Sequence, residues 1–78
     1  MSSSKPLQTP LERLQLAKNN PELIMKEFDI ADVKSAYTEK FTNGYHTELV
    51  ENFQYANGYG ATIAESIRCA LISWYEEG

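Results

Sequence analysis

Apolar residues recur at helical spacing along most of this chain. In the last eighteen residues, Ala61 to Gly78, Ile63, Ile67, Ala70, Leu71 and Trp74 fall at i, i+4, i+7, i+8 and i+11, the stripe of a helix that buries one face. Thr62-Ile-Ala-Glu65 has the form of a capping box at its start. There the threonine hydroxyl accepts from the Glu65 backbone N–H, and the glutamate reaches back to the threonine N–H. Cys69 and Ile72 point away from the stripe, which leaves the helix with apolar content on a second face.

The earlier segments follow the same logic. Thr9-Pro-Leu-Glu12 repeats the capping-box form with Pro10 at the first helical position, and Leu11, Leu14 and Ala17 make a short stripe with Leu16 off it. Asn20 caps a second short helix opened by Pro21 and carrying Leu23, Ile24 and Phe28. Asp29 is placed to cap a third, in which Ile30, Val33, Tyr37 and Phe41 recur at i, i+3, i+7 and i+11. Thr42-Asn43-Gly44 is a turn by composition. A fourth helix is expected from about Thr47, with Leu49, Val50, Phe53 and Ala56 on its apolar face and Gly58 at its left-handed end. The stretch Tyr37–Tyr45 also admits a strand or hairpin around its Asn-Gly pair. The pattern predicts an all-α fold, a single small domain of about four short helices over residues 9–78. Its C-terminal amphipathic helix is central, and residues 1–8 form a flexible N-terminus.

Length and composition narrow the class. A chain of 78 residues buries only about 60–65% of the surface its unfolded form exposes, so a partner or a second copy adds usefully to its stability. The apolar share of 42% and charged share of 23% are those of a folded domain. One cysteine makes no internal disulfide, and no apolar run reaches the roughly 20 residues of a membrane span, so a cytoplasmic protein without a membrane role is expected. Charge is divided unevenly. Residues 1–40 balance six basic against six acidic groups, whereas residues 41–78 set Arg68 against five glutamates and carry the whole net charge of −4. Phosphate backbones repel such a surface, which makes nucleic acid an unlikely partner.

Candidate chemistry is sparse. With His46 the only histidine and Cys69 the only thiol, no His–His metal pair exists and structural zinc lacks ligands. A Cys69/His46 dyad is open on spacing, but Cys69 sits mid-helix, away from the helix N-terminus that lowers a thiol pKa. Asn57-Gly58-Tyr59-Gly60 holds a Gly-x-Gly without the strand–loop–helix context or lysine of a phosphate cradle. No catalytic residue, metal site or cofactor is therefore assigned. Aromatic residues are the distinctive content, with eight of nine from Tyr37 onward.

Two stretches have the outline of nucleic-acid-binding arrangements. Glu22 to Lys40 has the size of a helix-turn-helix, but its would-be recognition helix opens with Asp29 and Asp32. Phe41 to Glu77 resembles in outline the ribbon-helix-helix family, Ile63-Ala-Glu-Ser-Ile-Arg-Cys-Ala-Leu71 looking like its second helix. That resemblance implies a dimeric DNA-binding regulator. The strand position, Phe41-Thr-Asn-Gly-Tyr45, offers only Asn43 for reading bases.

The reading that follows is a small acidic, non-catalytic protein-interaction module that binds another protein or itself as a homo-oligomer. A sharper form is an inhibitor or regulator whose acidic groups occupy the basic channel of a nucleic-acid-handling enzyme. Off-stripe tyrosines, the Cys69/Ile72 pair and the acidic end of the chain point to Tyr55, Tyr59, Cys69, Ile72, Tyr75, Glu76 and Glu77 as partner-binding residues.

Overall fold

A computed structural model describes residues 9–77, with only the backbone at Glu77. The flexible segment expected at residues 1–8 lies outside the described residues. Helices α1 (Pro10–Leu16) and α2 (Pro21–Ala31) form where their caps predict. Thr9 and Glu12 close both halves of a capping box, with hydrogen bonds of 3.2 and 3.0 Å, and the Asn20 side chain accepts from the Leu23 N–H. α2 runs through Asp29 and stops at Asp32, whose φ of 52° is the left-handed turn that ends a helix.

From there the chain departs from the all-α expectation. Ser35–Phe41, Gly44–Glu51 and Gln54–Gly60 are strands β1, β2 and β3 of an antiparallel sheet in the order β1-β2-β3. The fold is thus α+β, three helices with a three-stranded sheet, and the all-α, helical reading is corrected. Its third and fourth helices do not exist. The physical reason is the ambiguity of a four-residue repeat: Tyr37 and Phe41 share one face of a helix and equally one face of a strand. The hairpin admitted at Tyr37–Tyr45 is present, with Phe41 paired to Gly44 across Thr42-Asn43. The second turn, Asn52-Phe53, has Asn52 at φ 56°.

Helix α3 (Ile63–Glu77) returns across one face of the sheet, mainly over β3 and β2, and barely reaches β1. Thr62 caps it by accepting from the Glu65 N–H at 3.1 Å. The Glu65 carboxylate turns instead to Arg68 and Cys69. Ile67, Ala70, Leu71 and Trp74 are buried as their stripe predicts, whereas Ile63, at the helix start, is 49% exposed. They meet Leu49 and Ala56 from the sheet and Leu14, Ala17 and Ile24 from α1 and α2. α1 and α2 are joined by Arg13 Nε to Glu27 Oε2 at 2.7 Å, and α3 is tied to α1 by Arg68 Nε donating to the Leu14 carbonyl at 2.7 Å. Among the described residues no helix is long and apolar enough to cross a membrane.

Candidate functional site

Strand alternation sorts the sheet into two unlike faces. Toward α3 point small or short side chains, Thr38, Thr47, Ala56 and Gly58, together with Leu49. They are small because the helix backbone comes close: a Cβ at Gly58 would lie 2.2 Å from the Ala70 nitrogen, and one at Gly60 2.6 Å from the Ser66 nitrogen. The Gly-x-Gly of the sequence is a seat for a helix. Between the layers runs a line of hydroxyls, Thr38 to Thr47 at 2.9 Å and Thr47 to Ser66 at 2.8 Å. Ser66 donates onward to the Ile63 carbonyl at 2.7 Å, which fixes the direction of the whole line.

Most of the large aromatic side chains of the sheet lie on the opposite face, which no element among the described residues covers; Tyr45 stands on the α3 side, at the sheet end. Three cross-strand rows make it up: Glu39, His46 and Tyr59; Tyr37, Glu48 and Asn57; Ser35, Val50 and Tyr55. Tyr37, Tyr55 and Tyr59 are 56%, 50% and 58% exposed. His46 is the exception, only 6% exposed although it stands on the open face. Its ring stacks on Tyr59 at 4.3 Å between centroids and on Phe41 at 5.8 Å, and its Nδ1 lies 3.4 Å from Glu39 Oε2. Burial of an imidazole on an open sheet by its own neighbours makes a stiff aromatic ridge. Tyr55 donates its hydroxyl to Glu48 Oε2 at 3.3 Å. Partial burial and the Glu48 charge push the Tyr55 phenol above its ordinary pKa, so it stays a neutral donor. Beside the ridge, at the β1–β2 turn, Phe41, Asn43, Tyr45 and Tyr59 border an open hollow of about 750 Å³.

The seven residues expected to bind a partner do not share one surface. Tyr55 and Tyr59 are on the open face of β3. Cys69 packs under the other face, its Cβ 2.7 Å from where a Cβ on Gly58 would stand, and its Sγ lies 3.7 Å from Glu65 Oε2. Burial first, then the Glu65 charge, raise the Cys69 pKa above that of a free thiol. Ile72 and Tyr75 pack against the core, and burial together with the nearby Glu27 charge raises the Tyr75 phenol. Glu76 is exposed near the end of α3, and the Glu77 side chain lies outside the described residues. The sheet separates His46 from Cys69, so the two do not form a dyad. Among the described residues no three His, Cys, Asp or Glu side chains converge as a metal site would.

Tyr37, Glu39, Phe41, His46 and Glu48 belong to the face and are not among the partner-binding residues expected from sequence. The signal was present as Tyr37-x-Glu39-x-Phe41 and Tyr55-x-Asn57-x-Tyr59, each at period two. The residues that a ribbon-helix-helix would fold as its first helix form β2 and β3, and the second half of the helix-turn-helix candidate is the end of α2, a turn and most of β1. No protein-family model, curated protein or solved structure matches this chain.

Proposed function

We propose that this chain is a small acidic, non-catalytic binding module, acting in the cytoplasm, that engages another protein through the open face of its sheet. The observation that carries the reading is the inversion of side-chain size across the sheet. Tyr37, Phe41, Tyr55 and Tyr59 stand on the open side, while threonine, alanine and glycine, with Leu49 in the core and Tyr45 at the sheet end, line the packed side. Amphipathic aromatics with few rotatable bonds are the residues that anchor protein interfaces. An apolar patch of this kind on a small domain marks an interaction site more often than an accident of packing. The edge strand β1 adds to it, since Ser35–Thr38 are exposed along the strand and α3 barely touches it. The partner surface proposed here is therefore Tyr37, Phe41, Tyr55 and Tyr59 around His46, keeping two of the seven residues read from sequence.

Replacing Tyr37 and Tyr55 together by alanine separates binding from folding. Both are half exposed and outside the ring stack, so the melting temperature stays within a few degrees while retention of the partner from host extract is lost. Unchanged retention means that the contact lies elsewhere.

A further inference from the structure

We infer that the surface received by this face is cationic: an arginine- or lysine-bearing segment of a basic protein, its charged heads set among Tyr37, Glu39, Glu48, Tyr55 and Tyr59. The inference rests on the reading of the open face as a protein contact and names the chemistry of the partner.

Charge is the first ground. Glu39 and Glu48 are the acidic side chains that alternation places on this face, and among the described residues no lysine or arginine joins them. Lys34 precedes β1 and pairs with Asp32 at 3.1 Å, and Lys40 belongs to the side of β1 that faces α3. His46 is already set against Glu39.

Unused acceptor capacity is the second. Glu48 occupies the middle of the central strand, with Tyr37 opposite on β1 and Asn57 opposite on β3. Its Oε2 takes one bond from Tyr55 at 3.3 Å, and among the described residues its Oε1 takes none. Among the described residues Glu39 holds only the long contacts to His46 at 3.4 Å and to the Tyr37 hydroxyl at 3.5 Å. Such distances are at the weak end for hydrogen bonds and yield readily to a charged donor.

The rings supply the third ground. A guanidinium is planar, binds a carboxylate through two N–H groups and stacks on an aromatic ring, so a carboxylate flanked by tyrosines suits it in both respects. Other occupants fit worse. A second copy laid face to face sets Glu39 and Glu48 against the same pair with no cation between, and like charges across an interface are repelled. Nucleic acid brings phosphates to a carboxylate surface.

The test is an amide-shift NMR titration of the whole protein with a capped Gly-Arg octapeptide at physiological salt. The same peptide with citrulline for arginine is the neutral control, and a short single-stranded oligonucleotide the anionic one. Shifts confined to residues 35–59, at least tenfold weaker with citrulline and at least tenfold weaker in the Glu39→Gln/Glu48→Gln variant of unchanged melting temperature, are the expected result. Equal binding of the citrulline peptide overturns the cationic partner while leaving the face a contact surface. Shifts on α2 or α3, a preference for the oligonucleotide, or no response to any probe also overturn it. The reading of the face itself is decided separately, by the Tyr37/Tyr55 variant above.

Discussion

Gly58 sits so close to Ala70 that a methyl group on its Cα would lie 2.2 Å from the Ala70 amide nitrogen. The obstacle is helix backbone, which has no rotamer to change, so Gly58→Ala must push α3 off the sheet. Overpacking of a tight core costs about 1–3 kcal/mol, and a backbone clash belongs at the upper end. For a domain of this size that lowers the melting temperature by about 10 °C or more. A thermal melt of Gly58→Ala within 2 or 3 °C of the parent, on the order of the effect of a surface substitution, contradicts the seating of α3 on β3.

The hydroxyl line makes a graded prediction. Thr47 is buried and bonded on both sides, to Thr38 at 2.9 Å and Ser66 at 2.8 Å, whereas Thr38 is exposed. Thr47→Val removes both bonds at nearly constant shape and is expected to cost about 1–2 kcal/mol in denaturant titration. Thr38→Val removes one bond from an exposed residue and costs clearly less. Equal costs for the two show that the line is not bonded in series.

Arg13 and Glu27 join α1 to α2 at 2.7 Å, and Glu27 Oε1 has no hydrogen-bond partner among the described residues. The hydrogen bond to Glu27 raises the Arg13 pKa further, against the opposing pull of burial. Removing the cation alone leaves a buried carboxylate, so Arg13→Met is expected to melt several degrees below the parent. The double variant Arg13→Met/Glu27→Leu is expected to recover most of that loss. A double variant that melts below the single one contradicts the pairing.

Cys69 yields the pH prediction. Burial and Glu65 hold its pKa above that of a free thiol, so alkylation by iodoacetamide reaches half its maximal rate at a higher pH than for glutathione. Glu65→Gln removes the negative neighbour and moves the midpoint down. The folded-state pKa lies above the unfolded one. The associated stability is therefore full below the ordinary thiol range and is lost as pH rises through the folded value. A midpoint equal to that of glutathione excludes the packed position under β3.

The ends of the chain were legible in the sequence because their signals are local. Thr9, Asn20 and Thr62 cap the helices their hydroxyls and amides indicate, and Leu14, Ile24, Ile67, Leu71 and Trp74 are core residues at the spacing that predicts them. The centre was misread because a sheet seated directly on a helix reverses the usual pattern. Its buried side is built from Thr47, Ala56 and Gly58, which carry little hydrophobic signal, and its open side from Tyr37, Phe41 and Tyr59, which carry most of it. Apolar periodicity then follows the exposed face, where a four-residue step fits helix and strand alike. Gly58, expected at the left-handed end of a helix, is instead a docking point for α3, and the hairpin corner falls at Asn52. The candidate face was half visible in Tyr55 and Tyr59. Its other half, on β1 and β2, depends on a strand register that only long-range pairing sets.

The central claim is that this protein meets its partner through the uncovered side of the sheet. Site-specific photocrosslinking tests it most directly, with p-benzoylphenylalanine placed in turn at Tyr37, at Tyr55 and at the exposed Lys26 on α2, and the whole protein expressed in its native host. The account predicts that Tyr37 and Tyr55 give the same discrete crosslinked polypeptide and that Lys26 gives none. A discrete crosslink from Lys26 with none from either sheet position contradicts it.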